Sequence, residues 1–166
     1  MEIINIRRST RTYKEIKVEN EKINKLLRAA MQAPSAFNQQ AWEFIVIENK
    51  ETLKKLSGMS EYSKSIEKSP VTIIVLGNRD KMTVPECWQQ DLGAATENLL
   101  LEAVELELGG VWMAVAPFED RMNYIREIFN LPENIIPYSV IPVGYPEEES
   151  KFIDRYDDNK VHYERW

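Results

Sequence analysis

The stretch VTIIVLG, residues 71–77, is an apolar run with the length of one β-strand. A strand with one solvated face alternates apolar with polar residues, and this run does not. It therefore predicts a central strand that is buried on both faces of a sheet.

The segments before this strand carry helix and strand patterns. Apolar residues spaced three and four positions apart predict an amphipathic helix over residues 20–33, which Pro34 ends. Residues 34–40 are polar and predict a loop. A strand is then predicted over residues 41–48 (AWEFIVIE) and a short helix over residues 50–56 (KETLKKL).

The segments after the central strand continue the mixture of helices and strands. The predicted elements are a loop over residues 78–86, a long helix from about Trp88 to Leu108 that Gly109 and Gly110 end, a strand over residues 111–115 (VWMAV), a helix within residues 118–132 capped by Asp120 or Glu119, and a strand over residues 138–146 (YSVIPVGYP). This mixture favours an α+β or α/β layered domain, and the periodicity leaves the strand order open.

The bulk composition limits the class of protein. A chain of 166 residues fits a single domain, residues 1–166, and no apolar run approaches the length of a membrane span. The net charge of −6 argues against a nucleic-acid binder. One cysteine, Cys87, and one histidine, His162, leave little for a metal site or a Cys–His nucleophile pair. No secretory signal is expected at the N-terminus, so we expect a cytoplasmic protein without a membrane anchor.

The chain lacks the usual motifs of side-chain catalysis and nucleotide binding. It contains no Walker A loop, no G-x-G-x-x-G and no G-x-S-x-G. We therefore predict no catalytic acid, base or nucleophile, and expect a cofactor to supply the chemistry if the protein is an enzyme.

The arginines of RRSTR, residues 7–11, are the strongest charge signal in this acidic chain. Arg7, Arg8 and Arg11 together with the Ser9 hydroxyl suit a phosphate group, because guanidinium binds phosphate bidentately and stays charged. The pattern also fits a solvated basic strand, an ion-paired helix start or a patch that binds an acidic partner.

The C-terminal tail, residues 147–166, is polar but carries Phe152, Tyr156, Val161, Tyr163 and Trp166. Either it wraps its own domain or it packs on a second copy of the chain.

Four motifs in fixed order resemble the FMN-dependent nitroreductase family. These are RRSTR at residues 7–11, APSAFN at residues 33–38, GGVW at residues 109–112, and GYP at residues 144–146 followed by a basic residue. Each motif is weak alone, but the ordered set spans essentially the whole chain.

The resemblance implies an architecture and a cofactor. It implies an α+β fold whose central, mostly antiparallel sheet is flanked by helices, and an intertwined homodimer. Two FMN molecules would lie at the dimer interface, each in contact with both chains. The aromatic tail would then embrace the partner subunit.

The resemblance also implies roles for individual residues. The ribityl phosphate would be held by Arg7, Arg8 and Ser9, with a further contact from Arg155. Arg11 would lie near N1 and O2 of the flavin, where positive charge favours the reduced anion. The partner chain would line the ring and ribityl with Pro34, Ser35, Ala36 and Asn38, and Gly110 and Val111 would run along the flavin edge near N5.

The implied reaction is ping-pong hydride transfer from NAD(P)H to nitroaromatic, quinone or similar small-molecule acceptors. The choice between NADH and NADPH stays open. Phe37 stands where the family often has a small residue, and residues 78–90 are short for the family, so the acceptor stays open too. The alternatives are an FMN protein with another reductive role, such as dehalogenation or ene reduction, and a non-enzymatic dimer that binds flavin or another anion.

Overall fold

The chain folds into one antiparallel sheet with helices on both faces. The structure is a computed structural model that describes residues 2–166 and leaves out Met1. The helices are α1 (Glu2–Ile6), α2 (Asn20–Met31), α3 (Lys50–Leu56), α4 (Ser65–Lys68), α5 (Trp88–Glu105) and α6 (Glu119–Phe129). The strands are β1 (Trp42–Ile47), β2 (Val71–Asn78), β3 (Gly109–Gly110), β4 (Met113–Ala114) and β5 (Ile135–Gly144).

The sheet supplies the strand order that periodicity left open. Its order is β1-β2-β5-β3, and β4 also pairs with β5. Every pairing between these strands is antiparallel. The predicted α+β class, with a mostly antiparallel sheet flanked by helices, is thereby confirmed.

The position of β2 between two hydrophobic cores explains why its sequence is apolar throughout. Val71, Ile73 and Val75 face a core built with α2 and α5, whereas Ile74 and Leu76 face a second core built with α3, α4 and α6. Successive side chains of a strand point to opposite faces, so a strand covered on both faces needs apolar residues at every position. The prediction of a buried central strand is confirmed.

The long helix and the strand after it differ from the sequence prediction. Helix α5 ends at Glu105, not at Leu108, and Glu107 has a positive φ of 61°. Gly109 and Gly110 do not end the helix, because they pair with Gly144 and Val143 as strand β3. The predicted strand over residues 111–115 is only the two-residue β4, Met113–Ala114.

Other boundaries also shift. Helix α6 has Phe118 rather than Asp120 or Glu119 at its N-cap, and β5 covers Ile135–Gly144 rather than residues 138–146. The predicted loop over residues 78–86 begins with the last residue of β2, Asn78, which is followed by 3₁₀ turns over Arg79–Lys81 and Pro85–Cys87. Helices α1 and α4 were not predicted from the sequence.

The C-terminal tail does not cover its own domain with its apolar side chains. The exposed side chains are Phe152, Ile153, Tyr156, Val161, Tyr163 and Trp166. These side chains therefore do not pack on their own chain, and packing of the tail on a second copy stays a prediction.

No helix within residues 2–166 is both long enough and apolar enough to cross a bilayer.

A charge contact joins β1 to the turn after β2 and carries a pH-dependence prediction. Lys81 Nζ lies 2.6 Å from Glu43 Oε1, and Asn78 Nδ2 donates to the same oxygen at 3.1 Å. These two donors, with Lys81 first, lower the pKa of Glu43. A depressed folded-state pKa gives stability that is present above the unfolded glutamate pKa and is lost as pH falls through the folded value.

We expect Glu43→Gln to lower the free energy of unfolding by about 0.5 kcal/mol at pH 7, because solvent screens this largely exposed pair. The difference from wild type should shrink as pH falls below roughly 4. Urea unfolding of both proteins at pH 7 and below roughly pH 4 measures this difference. Glu48→Gln is the control, since Glu48 lies 3.4 Å from a more exposed lysine, Lys17. A deficit of the same size at both pH values would contradict the assignment.

Candidate functional site

Residues 7–11, which we call the arginine segment, lie extended along the edge of the sheet. Beyond the end of α1 at Ile6, Ser9 forms a parallel bridge with Gly110, and the Thr10 N–H donates to the Gly110 carbonyl at 3.0 Å. The segment is thus held against β3. The contact places the arginines beside the glycine pair 109–110.

Tyr13 fixes the other end of the segment. It bridges Pro146, and its buried hydroxyl lies 2.6 Å from the Thr10 carbonyl and 3.1 Å from the Pro142 carbonyl. Burial raises the pKa of Tyr13 well above its usual value, so the hydroxyl keeps its proton and acts as a donor. The backbone of residues 9–13 is therefore fixed to the sheet and to β5.

Arg8 is the least satisfied polar group of the segment. Its Nη1 donates to the Arg7 carbonyl at 2.6 Å. Its Nε and Nη2 are shielded from solvent, and within residues 2–166 neither has a hydrogen-bond partner. A buried charged donor without an acceptor is costly, so this guanidinium fits a site for an anion.

Arg7 and Arg11 are in different situations. Arg7 Nε lies 3.1 Å from Glu97 Oε1 on α5, with 23% and 44% of the two side chains exposed. Arg11 is exposed, and its Nη1 donates to the Ser9 carbonyl at 3.3 Å. Arg7 therefore already has an anionic partner, whereas Arg8 does not.

Two cavities adjoin the arginine segment. One, of about 260 Å³, is lined by residues 8–12 on one side and by residues 148–151 with Ile153 on the other. A second, of about 600 Å³, also contains Arg8 and Thr10 and reaches Gly109 and Tyr145. Arg155 lines neither cavity, and Lys151 is the tail cation that lines the first. The phosphate role of Arg155 stays a prediction.

Gly110 and Val111 lie inside the sheet edge beside the arginines. The Gly110 carbonyl accepts the hydrogen bond from the Thr10 N–H. Val111 is buried, and its N–H donates to the Pro142 carbonyl at 3.4 Å. That contact engages the Val111 N–H within the protein. The predicted placement of both residues along a flavin edge stays a prediction.

The polar loop forms a tight turn away from these cavities. Pro34 and Ser35 lead into a 3₁₀ turn over Ala36–Asn38, and the Ser35 hydroxyl accepts the Gln40 N–H at 3.1 Å. Phe37 is 89% exposed. Neither cavity at the arginines is lined by residues 34–40, so one chain does not bring the two halves of the predicted site together.

Two residues that hold this loop, Asp91 and Gln39, were not predicted from the sequence. Asp91 on α5 is buried and accepts hydrogen bonds from the Ala36 N–H and from Gln39 Nε2. Asp91 lies in the first turn of a helix, where acidic residues are common, so the sequence gives no signal of this role.

Comparison with known proteins identifies the family. A model of the nitroreductase family matches residues 4–62 and 59–145. The chain belongs to the nitroreductase family. Within residues 2–166, no group of three His, Cys, Asp or Glu side chains is arranged to hold a metal ion.

Three members of the family illustrate the similarity. A protein of Methanothermobacter thermautotrophicus, provisionally named NADH dehydrogenase/NAD(P)H nitroreductase, is 43% identical over 100% of this chain and 87% of its own. The crystal structure of a provisionally named NADH oxidase from Clostridium acetobutylicum has 55% identity and a TM-score of 0.97, over 99% of each chain. An FMN-dependent nitroreductase from Clostridium difficile has 33% identity and a TM-score of 0.91, over 99% of this chain and 98% of that one.

Proposed function

We propose that this nitroreductase-family chain is an FMN-dependent oxidoreductase that uses NAD(P)H to reduce nitroaromatics, quinones or similar flat acceptors. The relatives support the class of reaction, since their names pair NAD(P)H with nitroreductase activity and one is FMN-dependent. The observation in this chain that carries the proposal is the buried, unpartnered edge of the Arg8 guanidinium.

A phosphate fits the chemistry of that position. Nε and Nη2 are adjacent donors of one planar guanidinium and can bind two oxygens of one phosphate. The Ser9 hydroxyl lies on the next residue, and the backbone between them is fixed to β3 and to Tyr13. The donors are thus positioned before the anion arrives, which lowers the entropic cost of binding.

When bound, FMN would supply the redox chemistry, which is hydride transfer between NAD(P)H and the acceptor. The side chains of this protein bind and orient. In the proposal, Arg8 and Ser9 hold the phosphate, Arg7 adds charge beside them, and Arg11 supplies a fixed positive charge for the pyrimidine side of the ring. No side chain is required as a general acid or base.

A second copy of the chain completes the proposed site. Residues 34–38 lie outside the cavities at the arginines, and the exposed aromatic tail has no cover in its own chain. We therefore propose a homodimer in which the loop of one protomer faces the cofactor held by the arginines of its partner.

The visible absorption spectrum of the purified protein tests the proposal. We expect a flavin spectrum that bleaches on anaerobic addition of NADH or NADPH and returns with a quinone or nitroaromatic. The nucleotide that bleaches it faster is the preferred donor. A colourless protein that takes up no added FMN would overturn the proposal.

Arg7 and Arg8 should differ in their effect on the cofactor. We expect Arg7→Ala to weaken FMN binding by only about threefold to tenfold, because the Glu97 carboxylate already pairs with this guanidinium. Fluorescence titration of FMN into the cofactor-free variants measures the affinities. If Arg7→Ala cost as much as Arg8→Ala, the Arg7–Glu97 pair would not limit the contribution of Arg7.

A further inference from the structure

Asp91 is a buried carboxylate that the proposed function does not use. Only 5% of its surface is exposed. Its Oδ1 accepts the Ala36 N–H at 2.9 Å, and its Oδ2 accepts from Gln39 Nε2 at 2.5 Å. An ionised carboxylate only accepts hydrogen bonds, so both donors are matched.

Gln39 extends this contact to the segment before α5. Its Oε1 accepts the Val84 N–H at 3.0 Å, and its Nε2 also approaches the Val84 carbonyl at 3.3 Å. The amide is thus oriented from both ends, by Asp91 and by Val84. We call the pair Asp91 and Gln39 the clamp.

The turn held by the clamp has a backbone that its sequence does not favour. Phe37, Asn38 and Gln40 have φ values of 49°, 55° and 46°. Asparagine adopts this left-handed conformation readily, but phenylalanine and glutamine meet a steric penalty there. Such a conformation persists only where the surroundings enforce it. The Asp91 bonds to residues 36 and 39 lie on either side of Phe37 and Asn38, and the Ser35 hydroxyl accepts the Gln40 N–H.

We propose that Asp91 is a positioning residue: through the clamp it holds residues 36–40 in the left-handed turn that directs Asn38 and Phe37 outward toward the cofactor of the partner protomer. The effect of the clamp on the turn stands on the geometry alone. Its effect on the cofactor rests on the proposed function.

Limited digestion with chymotrypsin tests the turn without the cofactor. A protease requires an extended backbone, so the clamped turn should resist cleavage after Phe37, whose side chain its own chain leaves exposed. Tyr62, 73% exposed in a separate 3₁₀ turn, reports general loosening in the same digest. Asp91→Asn should raise the ratio of Phe37 to Tyr62 cleavage about tenfold, because one amide N–H then faces a donor.

Two further variants make the test specific. Asp120→Asn removes an exposed first-turn carboxylate from α6 and should leave the ratio unchanged. The exchanged pair Asp91→Asn with Gln39→Glu restores the donor–acceptor match between positions 91 and 39 and the net charge, and it gives up only the long contact to the Val84 carbonyl at 3.3 Å. The new amide at position 91 can donate to the new carboxylate at position 39, which still accepts the Val84 N–H. We expect the exchanged pair to return the ratio to within about twofold of wild type.

The cofactor consequence is read from the same variants. Asp91→Asn should weaken FMN binding about tenfold and alter the visible circular dichroism of the bound flavin, and the exchanged pair should reverse both changes. An unchanged cleavage ratio in Asp91→Asn, or no recovery in the exchanged pair, would overturn the clamp. A wild-type protein that takes up no FMN would overturn the proposed function and the cofactor part of this inference, while the digest still decides the clamp.

Discussion

Replacing Arg8 with alanine is expected to lower FMN affinity by about 100-fold. A hydrogen bond between charged groups contributes roughly 1.5–3 kcal/mol, and about 1.4 kcal/mol corresponds to a tenfold change in affinity. Two such bonds, from Nε and Nη2, account for about two orders of magnitude at the lower end of that range, which suits a site that is partly open to solvent. The purified variant should be colourless, and titration with FMN should give a correspondingly weaker dissociation constant.

The stability of the cofactor-free protein should move in the opposite direction. Alanine removes a guanidinium edge that is buried without an acceptor, which costs roughly 1–3 kcal/mol, and forfeits one hydrogen bond to the Arg7 carbonyl worth about 1 kcal/mol. We expect the cofactor-free variant to be as stable as wild type, or more stable by up to about 2 kcal/mol. Urea unfolding with and without FMN measures both effects.

Two variants control this experiment. Arg28→Ala removes an exposed arginine from the last turn of α2 and should change neither property. Arg8→Lys keeps the charge but loses the bidentate fork, so its affinity should fall between wild type and alanine. An Arg8→Ala protein that keeps FMN within threefold of wild type would remove Arg8 from the phosphate site.

The fold was predictable where local pattern and tertiary environment agree. Strand β2 is buried on both faces, so its whole length is apolar and readable. Gly109 and Gly110 are the opposite case, because two glycines after a helix are a common stop signal, whereas here their partners are Gly144 and Val143 of β5. Pairing with a distant strand leaves no trace in local periodicity.

The site was predictable in its chemistry but not in its geometry. The spacing of RRSTR indicates an anion site, but the sequence does not distinguish Arg7 from Arg8. That difference comes from Glu97, which lies on a helix far along the chain. Asp91 was missed for the same reason, since its role depends on a loop that folds back onto the start of α5.

Replacing Gly109 with alanine should weaken FMN binding about 30-fold, although residue 109 need not touch the cofactor. A Cβ at this position would lie 2.7 Å from Thr10 Cβ and closer still to Thr10 Oγ1. Overpacking of this kind costs roughly 1–3 kcal/mol, and the cheapest relief is for residues 9 and 10 to move off the sheet edge. That movement breaks the Thr10–Gly110 hydrogen bond and displaces Arg8 with it.

Gly110→Ala is the matched comparison because it adds the same methyl group one residue away. Its Cβ would meet the Pro142 carbonyl at 3.1 Å and Leu100 at 3.2 Å, and no atom of the arginine segment is among its nearest neighbours. It should therefore lower stability while leaving FMN affinity within about fivefold of wild type. FMN titration and urea unfolding of both variants separate the two effects. If both variants lost FMN affinity in proportion to their loss of stability, the glycine at 109 would serve the fold alone. If only Gly109→Ala loses the cofactor, the absence of a side chain at 109 is what lets the arginine segment lie close enough to the sheet to bind phosphate.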